Sequence, residues 1–350
     1  MGLARSKYVQ EGEEGVYHCF CRCVRRAFLF GIDPVTNRDY SHRKDWIVER
    51  MKFLASIFAI DVCAYSVLVN HYHQVLRTRP DLVDSWSDYE VASRWLQICP
   101  RKPRSKKKPV LPIEVQINAL LASPARIAEI RKRLSSLSWF MGRLNEFIAR
   151  MANAEDKVKG RFWESRFKCK ALLDDISTIT TMVYADLNLV RAGLADTPED
   201  SDFTSIQERI RAWQRENMPS VSSQDLPKNL SANNARADSW LCPIASNAER
   251  RGIMSISEEQ YFDLVDRSGR EIRAGKRGSI NPDLAPILLR IGANPEAWMD
   301  TVTRFDEIFH VAVGTHSSMK KFAARIGVRW LVGGLKTAAF YPSTIDVSKF

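Results

Sequence analysis

Two apolar runs, Val62 to Val69 and Tyr72 to Arg77, are separated only by the polar break at Asn70. Both alternate or read as β-branched and aromatic, so both are expected to be strands. A break that short points to antiparallel neighbours, since a parallel pair needs a crossover of a dozen residues or more. Around this hairpin the periodicity is clear. Tyr17 to Val24 reads as a strand, and Lys44 to Phe58 carries apolar residues at helical spacing, at Trp46, Ile47, Met51, Leu54 and Ile57. Pro124 to Arg133 and Leu137 to Met151 are expected to be helices, with Pro124 at a helix start. Phe162 to Leu172 reads as a further strand. Asp174 or Asp175 then caps a helix from Ile176 to Leu189, closed by Gly193. The order β-α-β-β-α-β-α is that of an α+β domain with a ferredoxin-like split βαβ arrangement and an antiparallel sheet.

The chain has 350 residues, enough for two domains, with 45% hydrophobic content for a core. Residues 1–215 are expected to form the first unit, with a basic insert at about 80–120. Pro219 to Asn247 is rich in Ser, Asn, Asp and Pro, which places a linker over 216–254. Residues 255–350 then read as a mainly helical extension, with Ser257 and Gln260 as a capping box and Asn294-Pro295 as another helix start. The net charge of +11 favours polyanions, nucleic acid before anionic membrane. The longest apolar run, Phe53 to Val69, is interrupted by Asp61 and changes from helical to alternating there, so no membrane span is expected. Met1 to Gly15 lacks the apolar stretch of a signal peptide, and the expected location is cytoplasmic. Seven cysteines do not make a disulfide framework. Cys19, Cys21 and Cys23 recur with period two and are expected to be small buried side chains on one face of the first strand.

The residues that bear chemistry are few. His71 and His73 flank Tyr72 in a β region, so their Cα atoms lie about 6.6 Å apart on one face, where two imidazoles can converge on one cation. Taken alone, such a pair is more often simply exposed or packed. Tyr184 and Asn188, four apart, share a face of the last helix, so a phenol and a carboxamide point the same way. Arg161, Arg166 and Lys168 alternate with Trp163 and Phe167, a pattern that suits either a single nucleic-acid strand or an ordinary edge strand with core aromatics. Arg101, Lys102, Arg104, Lys106, Lys107 and Lys108 form a dense basic stretch, either a solvated loop or a contact to DNA backbone. His18, His42, His310 and His316 stand alone and are given no role.

Four stretches occur in order: Tyr17-His18 with Arg22; Leu68-Val69-Asn70-His71-Tyr72-His73; Gly160-Arg161-Phe162-Trp163-Glu164-Ser165-Arg166-Phe167-Lys168; and Tyr184-Ala185-Asp186-Leu187-Asn188-Leu189-Val190-Arg191-Ala192-Gly193. Together they resemble the REP-associated tyrosine transposases, of the insertion-sequence-200-like single-tyrosine HUH family, over residues 10–215. Two positions depart from the pattern: Leu68-Val69-Asn70 where the family often has Met-Pro-Asn, and Leu189 where it usually has proline. The resemblance implies that His71 and His73 ligate Mg²⁺ or Mn²⁺, with Asn188 as a third ligand. It implies Tyr184 as a nucleophile that forms a 5′-phosphotyrosine during DNA transposition. The implied partner is single-stranded or hairpin DNA; Arg22, Arg161, Trp163, Arg166 and Lys168 are the candidate contacts. Monomer and homodimer are both compatible with it. A DNA-hairpin-binding protein without turnover, and a metal phosphodiesterase in which water attacks, are the competing readings.

Overall fold

A computed structural model describes residues 3–100, 111–217, 238–273, 295–334 and 337. The chain builds a five-stranded sheet of order β2-β3-β1-β4-β5. Its strands are β1 (Gly15–Arg22), β2 (Ile60–Val67), β3 (His71–Thr78), β4 (Lys168–Leu172) and β5 (Ala312–Val313). The β2–β3 hairpin forms as expected, and β1 pairs antiparallel with both β3 and β4. The expected purely antiparallel sheet is corrected at one edge. There β5, from the late part of the chain, adds parallel to β4 and makes the sheet mixed.

Helices cover both faces. Behind the sheet, α1 (Arg43–Ile57) and α6 (Leu137–Glu155) bury Ile47, Met51, Leu54, Phe140 and Leu144 against Cys19, Cys21, Tyr72 and Leu76. The three cysteines are free and buried, as their period predicts. Asp61, which breaks the long apolar run, is neutralised by Arg77 at 2.6 Å and Arg79 at 3.1 Å. The other face carries a second core in which Val75 and Leu172 pack with Ile176, Ile179, Val183 and Tyr184 of α7 (Asp175–Asp186). The same core takes Tyr261 of α10 (Glu258–Arg273), Trp298 of α11 (Pro295–Thr303), and Phe305 and Ile308 of α12 (Phe305–Ile308). The described part of the C-terminal stretch thus packs on α7 and the sheet. Leu241 and Cys242, assigned to the linker by composition, are buried, and Leu241 makes a parallel bridge to Val62.

Two element boundaries differ from expectation. The strand expected over Phe162 to Leu172 begins only at Lys168. The preceding residues follow Gly160, whose φ of +127° turns the chain, and they hold one isolated bridge, Cys23 to Trp163. The helix expected to run through Leu189 ends at Asp186, and α8 (Asn188–Arg191) restarts after Leu187. Gly193, at φ +67°, closes it as expected. The basic stretch Arg101 to Lys108 lies outside the described residues.

Candidate active site

Strand parity sets the composition of the site. If Cys19 and Cys21 face one core, then His18, Phe20 and Arg22 face the other side. Register carries the same face across the sheet. Phe20 lies opposite His73 and Arg22 opposite His71, while His18 and Phe20 lie opposite Lys170 and Lys168. One face of three adjacent strands therefore presents His18, His71, His73 and Lys170.

Helix α7 lays Tyr184 over this face. Its N-terminus is fixed by a reciprocal cap: Asp174 accepts from the Ser177 N–H, while the Ser177 hydroxyl accepts from the Asp174 N–H. Its C-terminus is held by Asp186, which accepts from the Ser205 hydroxyl at 2.5 Å, the Ile206 N–H at 3.1 Å and the Tyr261 hydroxyl at 2.5 Å. Burial raises the Asp186 carboxyl to about 6, against these donors.

So anchored, the Tyr184 ring stands 5.7 Å from the His73 ring and 5.8 Å from the His18 ring, centroid to centroid. His71 and His73 rings are 5.1 Å apart and nearly perpendicular, at 76°. The structure thus brings together the two histidines and the tyrosine that sequence reading singled out. Tyr184 is 3% exposed. Phe305 stacks on it at 4.6 Å, and the Arg191 guanidinium lies 4.5 Å from its centroid. Its hydroxyl donates to Asp306 Oδ2 at 2.6 Å. Lys170 Nζ donates to Asp306 Oδ1 at 2.5 Å.

Charge follows this geometry. Burial works against the ionised Asp306, but Lys170 first, then His73, hold its carboxyl well below the usual carboxylate range. Burial, and then the negative Asp306, push the Tyr184 phenol well above its ordinary value. Burial drops His18 to about 3 and, with Arg22 nearby, His71 to about 4. Burial and the neighbouring imidazoles also press His73 far down. All three imidazoles are neutral at pH 7, the form that ligates a cation.

The residues fit a divalent cation as a two-nitrogen donor set. His71 Nδ1 is hydrogen-bonded to Asn70 Oδ1 at 2.6 Å, and His73 Nδ1 to His18 Nε2 at 2.8 Å. Each ring is thereby oriented by its inner nitrogen, and among the described residues neither Nε2 makes a hydrogen bond. Among the described residues, no cluster of three or more His, Cys, Asp or Glu side chains forms a ready cation site. Asn188 is linked to Arg191 instead: its Oδ1 accepts from Arg191 Nη1 at 3.4 Å, and its buried Nδ2 has no partner among the described residues.

The basic set is divided. Arg22, Arg166 and Lys168 line a cleft of about 1290 Å³ together with Arg5, Phe20, Phe167, Lys170 and Asp306. Trp163 is not there. Its indole N–H donates to Asn145 O at 2.9 Å, and its ring packs on Tyr72 behind the sheet. Arg161 is exposed and does not line the cleft.

Three residues of the site were missed in the sequence. His18 and Lys170 were findable, because the parity that puts the cysteines on one face puts His18 on the other, and Lys170 is in phase with Lys168. Asp306 carries no such signal, being 122 residues from the tyrosine it touches.

No family model and no curated protein matches the chain. Among solved structures, the chain is similar to a REP-associated tyrosine transposase bound to a REP hairpin, at 13% identity and a TM-score of 0.32, over 67% of this chain and 97% of that one.

Proposed function

We propose that this chain is a metal-assisted, single-tyrosine enzyme that nicks and rejoins single-stranded or hairpin DNA, as in transposition. The observation that carries the reading is the packing of the Tyr184 ring on His73, which shares its sheet face with His71. The strand order β2-β3-β1-β4, antiparallel throughout, supports a ferredoxin-like HUH arrangement. Residues 1–215 would carry the catalytic unit, and the later stretch adds Phe305 and Asp306 to its site.

The Tyr184 oxygen attacks a backbone phosphorus. An O–P bond forms to the phenol as the bond to the 3′-oxygen breaks, leaving a 5′-phosphotyrosine and a 3′-hydroxyl. Because the phosphodiester energy is retained in that linkage, a second 3′-hydroxyl can reverse the step, and the strand is transferred without a nucleotide cofactor. Lys170, ion-paired with the Asp306 carboxylate that holds the phenol, would place a cation near the reacting phosphate. His71 and His73 would hold Mg²⁺ or Mn²⁺ through Nε2, with Asn188 as a proposed third ligand. A cation held there would supply Lewis-acid assistance to the phosphate. Arg22, Arg166 and Lys168 along the cleft suit a phosphate backbone, and the Phe20 and Phe167 rings suit its bases.

One observation favours a second reading, a hairpin-binding protein without turnover. The phenol is buried, stacked on Phe305, and its hydroxyl is hydrogen-bonded to Asp306, so its oxygen is occupied in this arrangement. A single gel separates the readings. With a labelled hairpin and Mn²⁺, the enzyme yields a denaturation-resistant protein–DNA band that Tyr184→Phe abolishes. Tight binding with no such band supports the hairpin-binding reading, and cleavage surviving Tyr184→Phe assigns the attack to water.

A further inference from the structure

We propose that His18 is a positioning residue for His73, holding the ring through Nδ1 and deciding which of its nitrogens carries the proton. The inference rests on the reading of His71 and His73 as cation ligands, except for the tautomer it assigns to the metal-free protein.

The two rings are parallel, 15° apart, and joined by one 2.8 Å contact between His18 Nε2 and His73 Nδ1. Both are buried, at 0% and 3% exposure. With each ring neutral, a single proton lies in that contact, and two arrangements are open. In the first, His18 Nε2–H donates to His73 Nδ1. His73 then carries its own proton on Nε2 and offers no lone pair to a cation. In the second, His73 Nδ1–H donates to His18 Nε2, which frees His73 Nε2 for ligation and puts the His18 proton on Nδ1.

The surroundings of His18 choose between them. Its Nδ1 is buried and, among the described residues, has no hydrogen-bond partner. A buried N–H without an acceptor is the costlier orphan, and a bare nitrogen lone pair the milder one. Doubly protonated His18 is not an escape, because Lys170 is its cross-strand neighbour on the same face. The metal-free protein therefore holds the first arrangement, with both rings protonated at Nε2. His71 differs. Its Nδ1 faces the Asn70 Oδ1, which can only accept, so its Nε2 is already bare. One ligand is preset and the other is gated.

Cation binding then requires a paired shift. The bridging proton passes from His18 to His73, the His73 Nε2 proton leaves, and His18 gains one on Nδ1, with no net proton change. Affinity is lowered by the scarcity of the ligating arrangement, yet without His18 the ring loses the contact that aims it.

The test uses the full chain with ¹⁵N-labelled histidines, six in all, and long-range ¹H–¹⁵N spectra that report which ring nitrogen is protonated. The expected result is Nε2-protonated His18 and His73 without metal, and Nδ1-protonated His73 at saturating Mg²⁺. In parallel, Mn²⁺ affinity is read from the spin-resonance signal of the free ion. His18→Phe should weaken it by about 10–100-fold. His18→Gln, whose amide can still meet His73 Nδ1, should restore most of that loss. A His73 already protonated at Nδ1 without metal overturns the proposal, as does His18→Phe binding Mn²⁺ like wild type. If His18→Phe does not fold, the wild-type spectra alone decide. Mn²⁺ binding indifferent to both His71→Ala and His73→Ala would sink the ligand reading, and the gating with it, while the metal-free tautomer still stands or falls on its own spectrum.

Discussion

Tyr184 meets two opposed demands. As the proposed nucleophile it must give up its proton, yet burial and the Asp306 carboxylate make that harder, while Arg191 works the other way. Its oxygen is buried and donates to a carboxylate that Lys170 keeps ionised. A phenolate there would face Asp306 across 2.6 Å, and like charges so close in a dry site repel strongly. Replacing Asp306 with Asn removes that charge while leaving an oxygen to accept the phenol hydrogen. The expected outcome is a lower Tyr184 pKa, read as phenolate absorbance during alkaline titration, with Tyr184→Phe identifying the band. An unchanged titration would mean that burial alone, and not Asp306, holds the phenol protonated. Lys170 is the counterpart. It is almost fully buried, its charge is balanced by Asp306, and its own pKa is lowered by the burial.

At the scale of elements, α7 is the part whose placement decides whether the site exists. The Asp174 cap does more than start the helix. Its Oδ1 accepts from the Ser177 N–H, and its Oδ2 accepts from the Thr315 N–H just beyond β5. Asp174→Ala loses an N-cap, which costs about 0.5–2 kcal/mol in general. The contact to Thr315 places the expected loss in the upper half of that range, measurable as a reduced urea midpoint. A loss of only a few tenths would show that the link to Thr315 contributes nothing. Asp186, at the other end, makes the fold pH-dependent. Its folded pKa of about 6 lies above its unfolded value, so its stabilisation is complete below about 4 and is lost as pH rises through 6. The buried histidines have the opposite sign, because their folded pKa values are depressed, and a difference measurement isolates the carboxyl. Wild type should lose thermal stability relative to Asp186→Asn between pH 4 and pH 6.5. A gap that stays constant across that interval would contradict the raised pKa.

At the scale of the whole molecule, what sequence alone revealed depended on how local each signal was. The hairpin was plain because its connection is one short polar break. The cysteine face was plain because parity is a property of the strand itself. The start of β4 was misplaced because Phe162, Trp163 and Phe167 look like strand residues, whereas Gly160 turns the chain and Trp163 packs behind the sheet. Helix α7 was drawn too long because nothing in Leu187 announces a break. Asp306 could not be found at all, since no local pattern links a carboxylate on a four-residue helix to a phenol 122 positions earlier.

Charge is the property that belongs to the chain as a whole, and the last prediction follows from it. Within the +11 excess, the candidates for phosphate contact are the cleft residues Arg22, Arg166 and Lys168, which share the cleft with Glu11, Glu13, Glu164 and Asp306, and the stretch Arg101, Lys102, Arg104, Lys106, Lys107 and Lys108. If all six cations of that stretch neutralise phosphates of a single strand, each contributes about 0.7 to the slope of log affinity against log salt. Exchanging the six for Gln should then flatten the slope by about 4 while leaving the Tyr184 adduct intact at low salt. Two cleft residues, Arg166 and Lys168, should flatten it by little more than 1 when replaced, and adduct formation should fall with them because they adjoin Lys170 and Asp306. A slope that survives removal of the six cations would place the backbone path in the cleft alone and leave the basic stretch as solvated loop.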